Sequence, residues 1–162
     1  MAGAALTALC HAGDNLTIHK ALEIAVEGDV LVVDAGNYRG CGLWGEITSL
    51  AAHKKGVEGL VVSGAVRDAQ AIERLGFPVF SLGVSPSGST KEFLGPINRP
   101  VSCGGVLVSP GDIVVGDDDG VVVVPKEIAA DILPRCEERE EKEKKVKELI
   151  EQGRTTVEVY GF

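Results

Sequence analysis

Two short clusters hold the residues able to do chemistry. Gly45-Glu46-Ile47-Thr48 opens one, Arg67-Asp68 forms the other, and twenty residues separate Glu46 from Arg67. Ahead of Arg67 the run Leu60-Val61-Val62 reads as a buried strand that ends in Ser63-Gly64. Loops at the carboxyl ends of strands are where open α/β sheets place ligands, so Arg67 and Asp68 are the leading site candidates. The guanidinium is a permanently charged planar fork suited to a carboxylate or an enolate oxygen. Gly45 to Thr48 begin a helix, where backbone N–H groups and the dipole favour an anion. Glu46 there reads, from the residues alone, as a first-turn carboxylate that favours the dipole. Arg-Asp pairs alone are weakly informative, because surface ion pairs that close loops are common.

Other polar clusters have simpler readings. Asp117-Asp118-Asp119 lies between valine-rich runs and reads as a turn. His11, His19 and His53 share no ligand spacing and read as surface or cap residues, and Trp44 as a packing residue beside the site. Cys10, Cys41, Cys103 and Cys136 form no C-x-x-C pair, the pattern of buried or idle thiols in a reducing compartment. A net charge of -8 argues against nucleic acid as a partner. No apolar run has the length of a membrane span, and Met1 to Cys10 lack the basic flank of a signal peptide, so the expected location is cytoplasmic.

The elements that must position these residues follow from apolar periodicity. Ala4 to Leu9 reads as a strand, Gly13-Asp14-Asn15 as a turn, Leu16 to Glu27 as a helix and Val30 to Val33 as a buried strand. Asp34 to Gly45, with glycines at 36, 40, 42 and 45, reads as a tight loop. Ile47, Leu50, Ala51 and Ala52 give a short helical stripe, Ala69 to Leu75 a second helix, Pro78 to Leu82 a strand, and Gly83 to Pro100 a loop or meander. Gly104 to Pro125 is the clearest β signal, with an Asp-Gly hairpin turn at Asp119-Gly120. Lys126 to Gly153 reads as a long helix with Glu/Lys pairs at i,i+4 and no apolar residue from Glu137 to Lys145, so that stretch lies in water or against a neighbour. The expected class is α+β with layered sheets, not a doubly wound fold. Residues 1-134 would form the catalytic domain and 135-162 a helix and tail contacting a neighbouring subunit.

Glu46, the twenty-residue spacer and Arg67-Asp68, with a glycine before the acid, resemble the signature of the class II pyruvate aldolases. Their 4-hydroxy-4-methyl-2-oxoglutarate (HMG) aldolase group belongs to the RraA-like family. Gly13-Asp14-Asn15, Gly28 to Asp34, Leu43 to Glu46, Gly59 to Asp68, Gly76 to Phe80 and Pro110 to Pro125 resemble that family too, and the likeness covers roughly residues 4 to 153. The resemblance implies a layered β/β/α swivelling-domain fold, a homotrimer or hexamer, and sites at subunit interfaces. It implies a lyase that cleaves 4-hydroxy-2-oxo acids to release pyruvate and decarboxylates oxaloacetate, both through a metal-stabilised pyruvate enolate. Asp68 would be the direct protein ligand of Mg2+ or Mn2+, and Arg67 would clasp the 2-oxo acid. The N–H groups of Gly45, Glu46, Ile47 and Thr48 would hold the substrate carboxylate. Glu46 would relay protons through a water on the cation, and Glu140 or Glu141 would enter from a neighbouring subunit. Relatives usually carry some tens of residues before the strand that starts here at Ala4. Some members restrain a ribonuclease, which makes a regulatory protein the alternative. A methyltransferase label is attached to others, but glycines at 36, 40 and 42 do not give the tight G-x-G-x-G that cradles a cofactor.

Overall fold

The computed structural model describes residues 1–162. The chain begins with alternating strands and helices: β1 (Ala2–Leu9), α1 (Leu16–Ile24), β2 (Asp29–Gly42), α2 (Glu46–Lys54), β3 (Gly59–Val66), α3 (Ala69–Leu75) and β4 (Val79–Val84). Four β strands follow, β5 (Val101–Cys103), β6 (Val106–Val108), β7 (Ile113–Asp117) and β8 (Gly120–Val124). β1 to β4 pair in parallel, β7 and β8 join antiparallel beyond β1, and the six-stranded order is β4-β3-β2-β1-β7-β8. β5 and β6 form a separate two-stranded sheet.

The valine-rich strands alternate between two cores. Leu6, Ala8, Leu31, Val33, Leu60 and Val62 face Ile18, Leu22, Ala52 and Ile72 of the helices. Ala5, Val30, Val32 and Val114 face Val101, Cys103 and Val108 of the small sheet. Burial on both faces is why these strands read as continuous apolar runs. The layers are therefore small sheet, large sheet and helices. The α+β class holds, and with the three helices packed on one face the fold is not doubly wound.

Two local expectations need correction. Asp34 to Gly42 is not a loop: β2 continues to Gly42, with register shifts against β3 on either side of Tyr38. Gly36 (φ 61) and Asn37 (φ 59) take the left-handed region there, so the glycines mark a bulged strand. Nor does the apolar stripe of α2 face inward as a whole, since Ala52 alone of it is buried. Ile47 is 78% exposed and Leu50 46%, while Thr48, Ser49 and Ala52 are buried. Polar side chains could take the inner face because the site loop supplies their partners, as described below. β5 carries no turn or length signal in the sequence and lies between the expected 83–100 loop and the β segment expected from Gly104.

The acidic run behaves as a turn: Asp117 Oδ1 accepts from the N–H groups of Asp119 and Gly120 between β7 and β8. The chain separates into two compact units, Met1–Pro125 and Lys126–Phe162. The second holds α4 (Ala129–Glu151) and α5 (Thr156–Tyr160), α4 has no buried residue, and α5 starts in a reciprocal Thr155/Glu158 cap. Lys142 pairs with Glu138 and Arg139 with Glu143, each at 2.7 Å.

Candidate active site

β3 delivers Arg67 and Asp68 to the start of α2. Arg67 N–H donates to the Trp44 carbonyl at 2.8 Å and Leu43 N–H to the Ala65 carbonyl at 2.9 Å, which zips the Leu43–Gly45 segment onto the end of β3. Asp68 takes a left-handed conformation (φ 55, ψ 33), which Asp tolerates better than most residues, and its carbonyl accepts from Ala71 and Ile72 to begin α3. That bend turns its carboxylate back towards α2. Asp68 Oδ2 accepts from Glu46 N–H at 3.2 Å and lies 3.6 Å from Arg67 Nε. Oδ1 takes no protein donor. Both side chains stay partly open, 39% for Arg67 and 45% for Asp68.

Glycine is required at the centre of this arrangement. A Cβ on Gly45 would lie 2.5 Å from Asp68 Oδ2 and 3.0 Å from Arg67 Cγ, and one on Gly42 would lie 2.6 Å from Arg67 Cβ. The Asp68 carboxylate and the Arg67 stem therefore rest directly on backbone.

The first turn of α2 divides its donors. Gly45 N–H donates to Thr48 Oγ1 at 2.9 Å, the Thr48 hydroxyl donates back to the Gly45 carbonyl, and Glu46 N–H is taken by Asp68. Of the four N–H groups expected to hold an anion, those of Ile47 and Thr48 remain, since the first intrahelical bond is Ser49 N–H to the Gly45 carbonyl. Ser49 accepts from Trp44 Nε1 at 2.6 Å, and Trp44 stacks on Phe77, so the indole is a packing residue. The Glu46 side chain is exposed. Glu140 and Glu141 are exposed on α4, in the second unit.

Three features of the site were not foreseen. The Ser85–Thr90 stretch walls it: Ser87 carbonyl accepts from Gly42 N–H at 2.9 Å, Ser85 N–H reaches the Val66 carbonyl, and a Cβ on Gly88 would sit 3.8 Å from Arg67 Nη1. Asp14, read only as part of a turn, is 2% exposed. Burial opposes its charge, but hydrogen bonds from Glu92 and Leu16 N–H and the Thr90 hydroxyl outweigh this and hold its pKa below the usual carboxylate value. Cys41 is buried, as its lack of a paired cysteine predicts, and burial raises its pKa despite the nearby Arg67 charge, which disfavours the thiolate. His19, expected at the surface, is half-buried with Nε2 unpartnered.

No group of three or more His, Cys, Asp or Glu gathers to hold an ion. A divalent cation still fits Asp68. One carboxylate oxygen is anchored, the other takes no protein donor on a half-exposed side chain, and Mg2+ keeps several waters when one or two carboxylates bind it.

With this geometry in view, the similarities to known proteins can be placed. The RraA-like family profile, described as Aldolase/RraA, matches residues 1–123. A Halalkalibacterium halodurans protein provisionally named 4-hydroxy-4-methyl-2-oxoglutarate aldolase is 41% identical over 138 residues, 85% of this chain and 66% of its own length. An uncharacterised Pseudomonas syringae protein of solved structure superposes with a TM-score of 0.89 at 27% identity, covering 99% of this chain and 75% of that one. The RNA-processing inhibitor RraA from a Thermus species superposes with a TM-score of 0.72 at 35% identity, covering 76% and 75%. The chain belongs to the RraA-like family. It spans about two thirds of the length of the Halalkalibacterium relative.

Proposed function

We propose that this protein is a divalent-metal-dependent lyase. Its substrates would be 4-hydroxy-2-oxo acids of the HMG type, cleaved to release pyruvate, and oxaloacetate, which it would decarboxylate. The observation that carries this reading is the Asp68 carboxylate, held through Oδ2 between Glu46 N–H and Arg67 Nε and against Gly45, while Oδ1 takes no protein donor. The aldolase-named relative supports the same substrate family.

Mg2+ or Mn2+ held by Asp68 would supply Lewis acidity towards a 2-oxo group. The chain's own groups do the rest. The N–H groups of Ile47 and Thr48 hold the substrate carboxylate at the positive end of α2. Arg67 faces the C2 oxygen and stabilises the negative charge that develops on it. In aldol cleavage a base removes the C4 hydroxyl proton, the C3–C4 bond breaks, and its electron pair forms the pyruvate enolate. In decarboxylation the same bond breaks with loss of CO2. Protonation at C3 then gives pyruvate. Glu46 would carry one of these proton transfers. Glu140 or Glu141 from an adjacent copy in a homotrimer or hexamer would complete the relay.

The structural likeness to an RNA-processing inhibitor keeps a binding role in view. A binding protein, however, has no use for an open metal carboxylate beside Arg67. A methyltransferase reading finds no cradle: Gly36, Gly40 and Gly42 lie within β2 and not in a strand-to-helix turn.

Pyruvate release from oxaloacetate and from HMG, each with and without EDTA, tests the proposal. Activity should require Mg2+ or Mn2+ and vanish in Asp68→Ala. Metal-stripped protein with full activity would remove the metal role, and inactivity on both acids would remove the lyase reading.

A further inference from the structure

The segment from Ser85 to Arg99 has no helix or named strand, yet it is strapped to the body of the fold along its length. Leu9 N–H donates to the Pro96 carbonyl, Gly95 N–H to Thr17 Oγ1, and the Thr7 hydroxyl to the Arg99 carbonyl. Its first part walls the Arg67 guanidinium at Gly88. Its next part is clasped by Asp14. Oδ2 accepts from Glu92 N–H at 2.6 Å and the Thr90 hydroxyl at 2.7 Å, while Oδ1 accepts from Leu16 N–H at 2.9 Å. Backbone bonds flank the clasp, Thr90 N–H to the Gly13 carbonyl and Asn15 N–H to the Thr90 carbonyl. One buried carboxylate thus joins the start of α1 to the strap two residues beyond Gly88.

Polar atoms without a protein partner cluster around the clasp. The buried side-chain atoms left without a hydrogen-bond partner are Asn15 Oδ1, His19 Nε2 and Ser89 Oγ. All three belong to residues beside the clasp or one turn along α1. Unpaired buried polar groups are unfavourable and concentrate where function fixes the geometry. Asn15 also reaches the site directly, its Nδ2 donating to the Leu43 carbonyl at 2.8 Å.

We infer that Asp14 is a positioning residue: it fixes the Gly88 wall against Arg67 and so sets how the guanidinium meets the 2-oxo acid. The inference rests on the proposed lyase reading. Asp14 is 2% exposed, so it acts through the strap. An amide keeps one acceptor oxygen and turns an NH2 group towards either Leu16 N–H or the Thr90 and Glu92 donors, so Asp14→Asn keeps the volume and removes one arm of the clasp. Thr90→Val removes a single donor and should give a milder version of the same defect.

The experiment compares Asp14→Asn with Asp112→Asn. Asp112 is also a buried carboxylate, accepting from Ser109 N–H at 2.7 Å in the turn before β7, remote from Arg67. Melting temperature, KM and kcat for oxaloacetate with Mg2+ are measured for each. Binding of oxalate, an enolate mimic, is followed through Trp44, the only tryptophan, which lies next to Gly45. Both variants should melt lower than wild type. Asp14→Asn alone should raise KM and the oxalate Kd by roughly 10-fold, below the hundredfold that a full ångström of misplacement can cost, with kcat changed less. Thr90→Val should fall between it and wild type. In an Arg67→Ala background Asp14→Asn should add nothing to the oxalate Kd. Equal KM and Kd in the two Asp variants, or an undiminished Asp14→Asn effect without Arg67, would overturn the inference and leave Asp14 a purely structural cap. A wild type that neither decarboxylates oxaloacetate nor binds oxalate would remove the site reading first, and the inference with it.

Discussion

Between Gly42 and Asp68, each charged or polar group that matters rests on backbone: Asp68 on Gly45 and Glu46, Arg67 on Gly42 and the Trp44 carbonyl. Along α4 the charges meet one another and water, in pairs such as Glu138 with Lys142 and Arg139 with Glu143. The two regions carry the same residue types. Their difference lies in what fixes a side chain. Glycines and unpaired helix-end donors hold a carboxylate in one geometry, whereas an exposed i,i+4 pair leaves both partners mobile and contributes little. Chemistry needs the first kind of placement.

The largest effect on this contrast should come from Gly45→Ala. The added methyl meets Asp68 Oδ2 and the Arg67 stem together, so either the carboxylate or α2 must shift. Oxaloacetate decarboxylation should fall by about 100-fold with the fold intact by circular dichroism. Activity near wild type would show that Asp68 has freedom the tight contact denies. Next, Arg67→Lys should be nearly as damaging as Arg67→Ala, because a point charge cannot reproduce the planar fork. A Lys variant within about twofold of wild type, under roughly 0.5 kcal/mol of transition-state energy, would reduce Arg67 to a plain positive charge.

The sequence exposed much of this. Leu60 to Asp68 could be read as a strand that delivers two charged residues to a sheet edge, and Gly45 as the start of a helix, since each depends on local pattern alone. What stayed hidden depends on pairing across the chain. Asp14 meets Thr90 and Glu92 only through tertiary structure, so Gly13-Asp14-Asn15 looked like an ordinary turn. The bulged half of β2 looked like a loop, because glycines mark both. On α2, Thr48 and Ser49 are buried because Gly45 and Trp44 satisfy them, while apolar Ile47 faces out, an inversion that periodicity cannot reveal.

The third prediction tests whether α4 belongs to another copy's site. Glu140→Ala combined with Glu141→Ala should lower activity roughly 10-fold or more, in the range of a lost acid/base group, without lowering the melting temperature. Mixed with inactive Arg67→Ala protein, it should regain activity after subunit exchange. An interface that pairs Arg67 from one variant with the glutamates of the other is intact. No recovery despite verified exchange, or a monomer by light scattering, would leave α4 a solvated helix.

Thiol labelling separates the units without reference to activity. Burial pushes the pKa of Cys10 and of Cys103 up to about 11 and raises that of Cys41, whereas Cys136 is exposed on α4. The raised values disfavour the thiolate in the folded state, so the native protein should take up one equivalent of reagent quickly at about pH 8, near the ordinary thiol pKa. All four cysteines should react after denaturation. Fast labelling of a second native thiol would mean that the core of the first unit opens more readily than its packing implies.

The smallest effect is expected from Glu138→Gln. Lys142 holds the Glu138 carboxylate below its usual pKa, first through the 2.7 Å hydrogen bond and then through charge, yet both side chains are about two-thirds exposed. Solvent and salt screen such a pair, and its loss returns two flexible side chains to water. Melting temperature, KM and kcat should therefore match wild type within error. This silence gives the third prediction its meaning. Glu138, Glu140 and Glu141 share composition, exposure and helix, so a general loss of negative charge on α4 would affect all three alike. Loss of activity confined to Glu140 and Glu141 requires a group that meets them at a defined position. A Glu138→Gln defect of similar size would instead show that α4 acts through its summed charge, and the search for one neighbouring carboxylate would end there.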